Sequence, residues 1–547
     1  MPWFAVRYTT FWFAVLATAV FAFLAPRGIG WLIAALVFGA LTLLGIYDQF
    51  QRRHAIRRNY PILGNLRFMF ELIRPEIRQY FLEDDTNATP FSRNQRSIVY
   101  QRAKQELDKR PFGTQEDVYE RRYEWINHSL APVHIENFDF RVAIGGPDCS
   151  QPYSASVLNI SAMSFGALSG NAILALNTGA RKGNFAHDTG EGGISRYHRQ
   201  PGGDLIWNIG SGYFGCRDDN GDFSEQAFVA NATRPQVRMI EIKLSQGAKP
   251  GHGGILPGPK VTPEIAEARG VLVGVDCNSP SAHSAFGTPI GLMEFVARLR
   301  RLSGGKPVGF KLCIGHPWEW FAIVKAMLHT GITPDFVVVD GAEGGTGAAP
   351  VEFVDHVGVP LQDGLLLVHN TLVGAGLRDR IRVGASGKII TAFDIARTMA
   401  MGADWCNSAR GFMFALGCIQ AQSCHNDRCP TGVATQDPLR QRALVVEDKA
   451  ERVYNFHRNT LRAVSELVSA AGLDHPGKLG PEHIVRRVSG NEVRLLAGLF
   501  PFLEPGDLLE GRMRHEVYRR YWPMAQAESF APAADVPHPP GADSLVA

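Results

Sequence analysis

Phe336-Val337-Val338-Val339-Asp340-Gly341-Ala342-Glu343-Gly344-Gly345-Thr346-Gly347 is a β-branched run that passes directly into a glycine-rich turn. That unit, a short strand followed by a glycine-rich turn and then a helical stretch, recurs through the middle of the chain. Between residues 136 and 475 the candidate strands fall at 157–162, 184–187, 205–209, 239–243, 308–313, 336–340, 381–385 and 404–407. Eight strand–helix units predict an α/β fold, a (β/α)8 TIM barrel, whose chemistry sits in the loops after the C-terminal ends of the strands. The count alone leaves a doubly wound sheet as the alternative.

Several side chains and loops lie where such a barrel does its chemistry. Gly344-Gly345-Thr346-Gly347 after one strand and Ser386-Gly387-Lys388 after the next offer backbone N–H groups free of side-chain obstruction, as a phosphate requires. Two tight turns would need the same glycines. Lys311, in Gly309-Phe310-Lys311-Leu312, is a charge inside an apolar strand, and a buried lysine needs a partner. Cys418, Cys424 and Cys429, the last followed by Pro430, form a C-x5-C-x4-C set. Thiolates at such spacing select zinc, copper(I) or an iron–sulfur cluster. Zinc would want a fourth ligand, and His425 is too close to Cys424 to close the chelate; the plain alternative is three small buried apolar side chains.

The chain has 547 residues, more than a single core usually holds, and its net charge of +3 gives no reason to expect nucleic acid as a partner. Eight cysteines form no dense disulfide framework, and a thiolate cluster needs a reducing compartment, so Cys149, Cys216, Cys277, Cys313 and Cys406 read as packing residues. Residues 1–50 read as a transmembrane helical hairpin with spans at about 8–25 and 29–47. A signal peptide would want a basic start and a small-residue cleavage site after one apolar run, whereas a second apolar run follows here. Arg52, Arg53, Arg57 and Arg58 follow the second span while the turn holds only Arg27, which puts both termini in the cytoplasm. Residues 51–135 read as a helical linker region, whose Arg-rich start could touch lipid head groups or simply be solvated. Residues 476–530 read as a helical extension and 531–547 as a disordered tail rich in Pro and Ala.

Read in order, the motifs Ser161-Ala162-Met163-Ser164-Phe165-Gly166-Ala167, Thr189-Gly190-Glu191-Gly192-Gly193, Glu241-Ile242-Lys243 with Gly247-Ala248-Lys249-Pro250-Gly251, Gly344 to Ala348, Leu377 to Arg382, and Cys418 to Cys429-Pro430-Thr431-Gly432-Val433 resemble the synthase domain of the FMN-binding glutamate synthase family. The resemblance implies an FMN barrel in which the three cysteines hold a three-iron, four-sulfur (3Fe-4S) cluster beside the flavin. It implies a phosphate cradle made of Gly344, Gly345, Thr346, Gly347, Gly387 and Lys388 with Ala409 and Arg410, and Ser161, Met163 and Ser164 at the isoalloxazine edge. Lys311 would meet the pyrimidine side of the flavin, with a structural ion pair to a neighbouring strand as the other reading. Lys249 and Arg269 correspond to the residues that hold the keto acid, Lys243 to one near the reacting centre, and Glu241 to one that communicates with the amidotransferase domain; Lys243 and Glu241 are the catalytic expectations.

The chain departs from the pattern at His252 and Ile255, where the family typically has Glu and Gln. Neither an amidotransferase domain nor a C-terminal β-helix is recognisable, and the absence of a strand–G-x-G-x-x-G–helix fingerprint argues against direct NAD(P)H binding. The expectation is a membrane-tethered oxidoreductase of the cell inner membrane, its catalytic domain cytoplasmic. Electrons would arrive from ferredoxin or a partner reductase subunit, and a 2-oxo acid such as 2-oxoglutarate would combine with ammonia or an amine to give an amino acid such as glutamate, as in ammonia assimilation. The rival readings are an enzyme like N-methylglutamate synthase, a membrane-linked FMN amino-acid dehydrogenase, and a non-catalytic membrane scaffold.

Overall fold

The structure, a computed structural model, describes residues 6–533 apart from Pro257, Pro259 and Lys260. It divides into two compact units, Met1–Ser92 and Arg93–Ala547.

The larger unit is built on a closed barrel of eight strands: β1 Leu158–Ile160, β2 His187–Asp188, β3 Leu205–Ile209, β4 Val237–Lys243, β5 Val308–Leu312, β6 Phe336–Asp340, β7 Arg382–Ser386 and β8 Trp405–Ser408. Every neighbouring pair is parallel, and β8 closes on β1 through Asn407 beside Asn159. Each predicted strand coincides with or overlaps one barrel strand, and closure removes the doubly wound alternative. Helices such as Gly170–Gly183, Pro289–Leu302 and Pro317–Thr330 alternate with the strands, and those strands are buried along their length because helices cover their outer faces. An antiparallel hairpin, Arg141–Ile144 with Tyr153–Ser156, packs Ile144, Tyr153 and Ala155 against Ile206, Phe336 and Trp405, which lie near strand starts. It therefore plugs the N-terminal end of the barrel with apolar side chains, of which one as large as Ile144 contributes roughly 1.5–3 kcal/mol on burial. The chemistry is left to the other end.

Two expectations about the flanks need correction. Residues 476–530 are not a helical extension: Ile484–Arg487 and Val493–Leu495 form a three-stranded antiparallel sheet with Glu124–Ile126, and only the short helices Leu496–Leu499 and Glu516–Tyr521 follow. Pro476, Pro481, Pro501 and Pro505 deny this stretch a long helix, and the β-branched Ile484 and Val485 pair with a distant strand. Nor is 51–135 one helical linker. Leu63–Ile77 is helical but belongs to the smaller unit, Arg93–Lys104 packs on the long helix Val446–Ala470, and Glu124–Ile126 is the strand just described. Of the tail, residues 534–547 lie outside the described residues.

The smaller unit holds the helices Thr9–Leu24 and Ile29–Phe50, joined through Ala25–Arg27 and Gly28. Thr18 and Thr42 share a hydrogen bond of 3.0 Å between their hydroxyls, and Phe13 meets Phe38 edge-on at 5.9 Å. Their outward surfaces are apolar and exposed, and the helical stretches Val6–Arg27, which includes the flanking turns, and Ile29–Phe50 are long and apolar enough to cross a membrane.

Candidate functional site

Four clusters gather at the C-terminal end of the barrel. In the first, Glu191, from the loop after β2, lies 2.7 Å from the Nζ of Lys243, the last residue of β4. Burial pushes the Glu191 carboxyl up, but Lys243, Lys249 and Arg269 outweigh it and hold the carboxyl below its usual range. Lys249 Nζ donates to the Gly253 carbonyl at 3.1 Å, and burial pulls its ammonium below the ordinary value despite Glu191. Arg269 ends the helix Pro263–Arg269, with its guanidinium 5.1 Å from the centre of the Phe214 ring and 3.7 Å from Cys277 Sγ. Its Nε is buried with no hydrogen-bond partner. The two expected substrate residues and the expected catalytic lysine thus act on one carboxylate, and Glu191, Lys243 and Lys249 line a cavity with Ser211, Gly254 and Ser279. His252 lines it too, in contact with the Gly253 carbonyl and edge-on to Phe353 at 5.0 Å, whereas the Ile255 side chain lies outside the described residues.

Sequence reasoning gave Glu191 no role. The only signal was an acidic residue between glycines, which a solvated turn would also show. What sets Glu191 in place is Gly190, at φ +64°, where a Cβ would come within 2.6 Å of the Ser164 backbone nitrogen. The Glu191 loop consequently lies against Met163 and Ser164.

The second cluster lies inside the barrel. Lys311 on β5 is 3.1 Å from Glu241 on the adjacent strand β4, so the ion pair expected as the alternative for this lysine is present. Asn208 donates to the same Glu241 oxygen, while Asp188 Oδ2 and Glu241 Oε2 are buried without a hydrogen-bond partner among the described residues. Burial opposes the charge of Lys311, but Glu241, Asp188 and Asp340 outweigh it and raise its ammonium above the ordinary value. Asp188 is driven well above the usual carboxylate range, first by burial and then by Glu241. Neither Asp188 nor Asn208 had been singled out.

The third cluster spans the ends of β6, β7 and β8, where Gly344–Gly347, Gly387–Lys388 and Ala409–Arg410 follow successive strands. Arg410 donates to the Gly345 carbonyl at 2.7 Å. Ser161 after β1 meets Ser386 hydroxyl to hydroxyl at 3.2 Å, and Lys388 takes a left-handed φ of +50°. A Cβ at Gly345 would meet nothing within 4 Å, so this backbone faces open space, as the bed of a bound phosphate must. The residues present fit a flavin phosphate.

The fourth cluster is the thiol segment. Cys418, Cys424 and Cys429 follow the helix Arg410–Leu416, and Cys418 lies near enough to both of the others for their charge to bear on its thiol. Burial pushes the Cys418 thiol up. At Cys429 burial acts the same way, but the Thr431 hydroxyl and the backbone amides of Ala434, Thr431 and Val433 outweigh it and pull the thiol below its usual value. Amides converging on sulfur suit an iron–sulfur ligand. Among the described residues, no three Cys, His, Asp or Glu side chains are grouped to hold a single metal ion, and a multi-iron cluster spaces its thiolates more widely than one ion does. The segment lies against the third cluster, since a Cβ on Gly347 would come within 2.8 Å of the Cys424 carbonyl oxygen.

Residues 129–474 match the conserved region in glutamate synthase. The chain is 37% identical over 482 residues to the glutamate synthase large subunit-like protein YerD of Bacillus subtilis, covering 81% of this chain and 91% of that one. It is 34% identical over 343 residues to the archaeal-type glutamate synthase (NADPH) of Thermotoga neapolitana, where it spans 64% of the relative and the match takes in 62% of this chain. Among solved structures, a flavocytochrome b2 variant with pyruvate bound superposes with a TM-score of 0.41 at 14% identity, covering 81% of this chain and 96% of that one. A match of this extent to the conserved synthase region, carried on a parallel barrel with its charged site at the C-terminal end, means that the chain belongs to the glutamate synthase family of oxidoreductases.

Proposed function

We propose that the protein reductively aminates a 2-oxo acid, 2-oxoglutarate being the favoured substrate, using FMN and a 3Fe-4S cluster. The observation that carries this reading is the charge balance of the first cluster. Lys243, Lys249 and Arg269 face the single carboxylate of Glu191, which leaves two positive charges to be met by a ligand. A dicarboxylate keto acid supplies two negative charges, and the planar fork of Arg269, whose Nε lacks a partner, suits one of its carboxylates. Lys243 would hold a proton at Nζ beside the carbon that accepts nitrogen, with Glu191 keeping that ammonium charged and oriented.

Gly344, Gly345, Thr346, Gly347, Gly387, Lys388, Ala409 and Arg410 would hold the FMN phosphate, with Ser161, Met163 and Ser164 along the ring edge. Cys418, Cys424 and Cys429 would hold the cluster. Bound there, FMN supplies hydride transfer and the cluster a one-electron relay from ferredoxin or a partner reductase subunit. Lys311, fixed by Glu241, would place a positive charge beside the flavin's electron-rich side. The ammonia or amine is taken up directly from solution or from a partner.

The two apolar helices favour an inner-membrane location with the barrel in the cytoplasm, on the side marked by Arg52, Arg53, Arg57 and Arg58. They also favour a second reading, in which substrate electrons pass in reverse to a membrane acceptor. Anaerobic purification with visible and EPR spectra, followed by reductive amination with a chemically reduced donor across 2-oxo acids and amines, tests the proposal. A yellow-brown protein that is active on 2-oxoglutarate is expected. Colourless protein, or flavoprotein that turns over no 2-oxo acid with any amine, overturns it.

A further inference from the structure

The helix Leu63–Ile77 and the π-turn Arg78–Leu82 that continues it carry an apolar stripe with no partner among the described residues of the smaller unit. Leu63, Leu66, Phe70, Ile73, Ile77 and Tyr80 follow one another at alternating steps of three and four residues, which places them on one helix face, and each is exposed. Phe70 is 57% exposed, and Phe81, beside the end of the stripe, is 82% exposed. The opposite side of the helix is already engaged. Phe68 stacks under the Arg57 guanidinium at 4.3 Å and meets His54 at 4.9 Å, and a Cβ on Gly64 would come within 2.9 Å of the Arg57 backbone.

Three arginines border the stripe along one edge. Arg67, Arg74 and Arg78 are exposed and follow each other at helical spacing, Arg67 lying 2.9 Å from Glu71 and Arg78 2.8 Å from Glu83. The start of the helix is pinned to one end of the apolar hairpin. The Asp48 carboxylate, near the end of Ile29–Phe50, accepts from the Ile62 amide at 3.0 Å and from the Asn65 side chain, and Thr10, near the start of Thr9–Leu24, donates to the Pro61 carbonyl at 3.2 Å. The stripe therefore begins where the hairpin meets the membrane boundary, on the side that carries Arg52, Arg53, Arg57 and Arg58.

We infer that residues 63–82 form an interfacial helix that lies in the surface of an anionic bilayer, with the stripe among the acyl chains and Arg67, Arg74 and Arg78 at the phosphates. Three features select a lipid surface as the occupant. The apolar face is too exposed for water, its edge carries three guanidiniums of which Arg67 and Arg78 are shared with Glu71 and Glu83, and it is continuous with two helices built to span a bilayer. The inference rests on reading those helices as spans, and the experiment separates the two.

The full chain is reconstituted into phosphatidylcholine vesicles doped with phosphatidylglycerol that bears a diazirine on its acyl chain, and cross-links are mapped by mass spectrometry after illumination. Labels are expected on the stripe as well as on Thr9–Leu24 and Ile29–Phe50. Labelling of 63–82 should fall about fivefold for R74Q, and at least as far for R67Q and R78Q, which also leave Glu71 and Glu83 unpaired at the surface, and about tenfold or more in F70D, with the label on the spans unchanged. Labels confined to the spans would overturn the interfacial helix and leave the hairpin standing. Labelling that declines as the protein-to-lipid ratio rises would assign the stripe to a second copy of the chain and overturn the inference. Absence of label from the spans would overturn both readings.

Discussion

Arg269 reaches its site from the last turn of a seven-residue helix and is steadied by the Phe214 face, with its charge felt by Glu191. A lysine there could restore charge but not a planar fork. Arg269→Lys should raise the KM for the keto acid about tenfold or more, as expected when a charged hydrogen bond of about 1.5–3 kcal/mol is lost, while flavin content stays unchanged. Glu191→Gln should act in the other direction on binding. Removing the one carboxylate among three cations should lower the KM for a dicarboxylate, yet kcat should drop because Lys243 loses the partner that orients it. Steady-state kinetics on both variants checks the pair, and unchanged KM values in both would move the substrate elsewhere in the barrel. The sequence singled out Lys243, Lys249 and Arg269 individually. That they share Glu191 was not legible, because the contact joins loops after different strands and depends on how closely Gly190 lets one of them approach Ser164.

Strands of five apolar residues ending in glycine turns announce themselves in sequence, and so the barrel and the glycine loops at its C-terminal end were readable there. The sheet formed by Glu124–Ile126 and Ile484–Arg487 was not, because its register pairs residues more than three hundred positions apart, with Glu124 held by Arg486 at 2.6 Å and by Arg397 at 3.2 Å. Polar cross-strand anchors of this kind leave no periodic trace. The thiol segment lies between these cases: its spacing was legible, but the amides that gather on Cys429 emerge only from the fold of residues 431–434. With the cofactors proposed above, Cys424→Ser should abolish the iron–sulfur absorbance and the EPR signal of the oxidised protein, while FMN is retained because Gly345, Gly387 and Arg410 are untouched. Loss of flavin together with iron would show that the two loops hold one cofactor assembly rather than two.

Across the whole molecule, acid sensitivity follows from histidines buried in neutral form. Burial pushes His187 and His457 down to about 3, and His283 and His369 down to about 4. Their folded values lie below the unfolded value of about 6.5, so the unfolded chain gains protons first and stability falls as pH drops from about 6.5 towards 4. At pH 5.5 each such histidine should cost roughly 1.4 kcal/mol. His457→Gln, which disturbs the contacts to Ser156 and Leu158, should be less stable at pH 7 but lose roughly 1.4 kcal/mol less between pH 7 and 5.5. Urea denaturation of the detergent-solubilised chain reads this directly, and parallel pH slopes for the two proteins would show that His457 is not buried neutral. The close approach of Gly347 to the Cys424 carbonyl has a consequence of another kind. Two backbones in van der Waals contact leave no slack for either to lengthen, so the glycine loop and the thiol segment can change in descent only together, and a chimera that takes one from a relative must take the other with it.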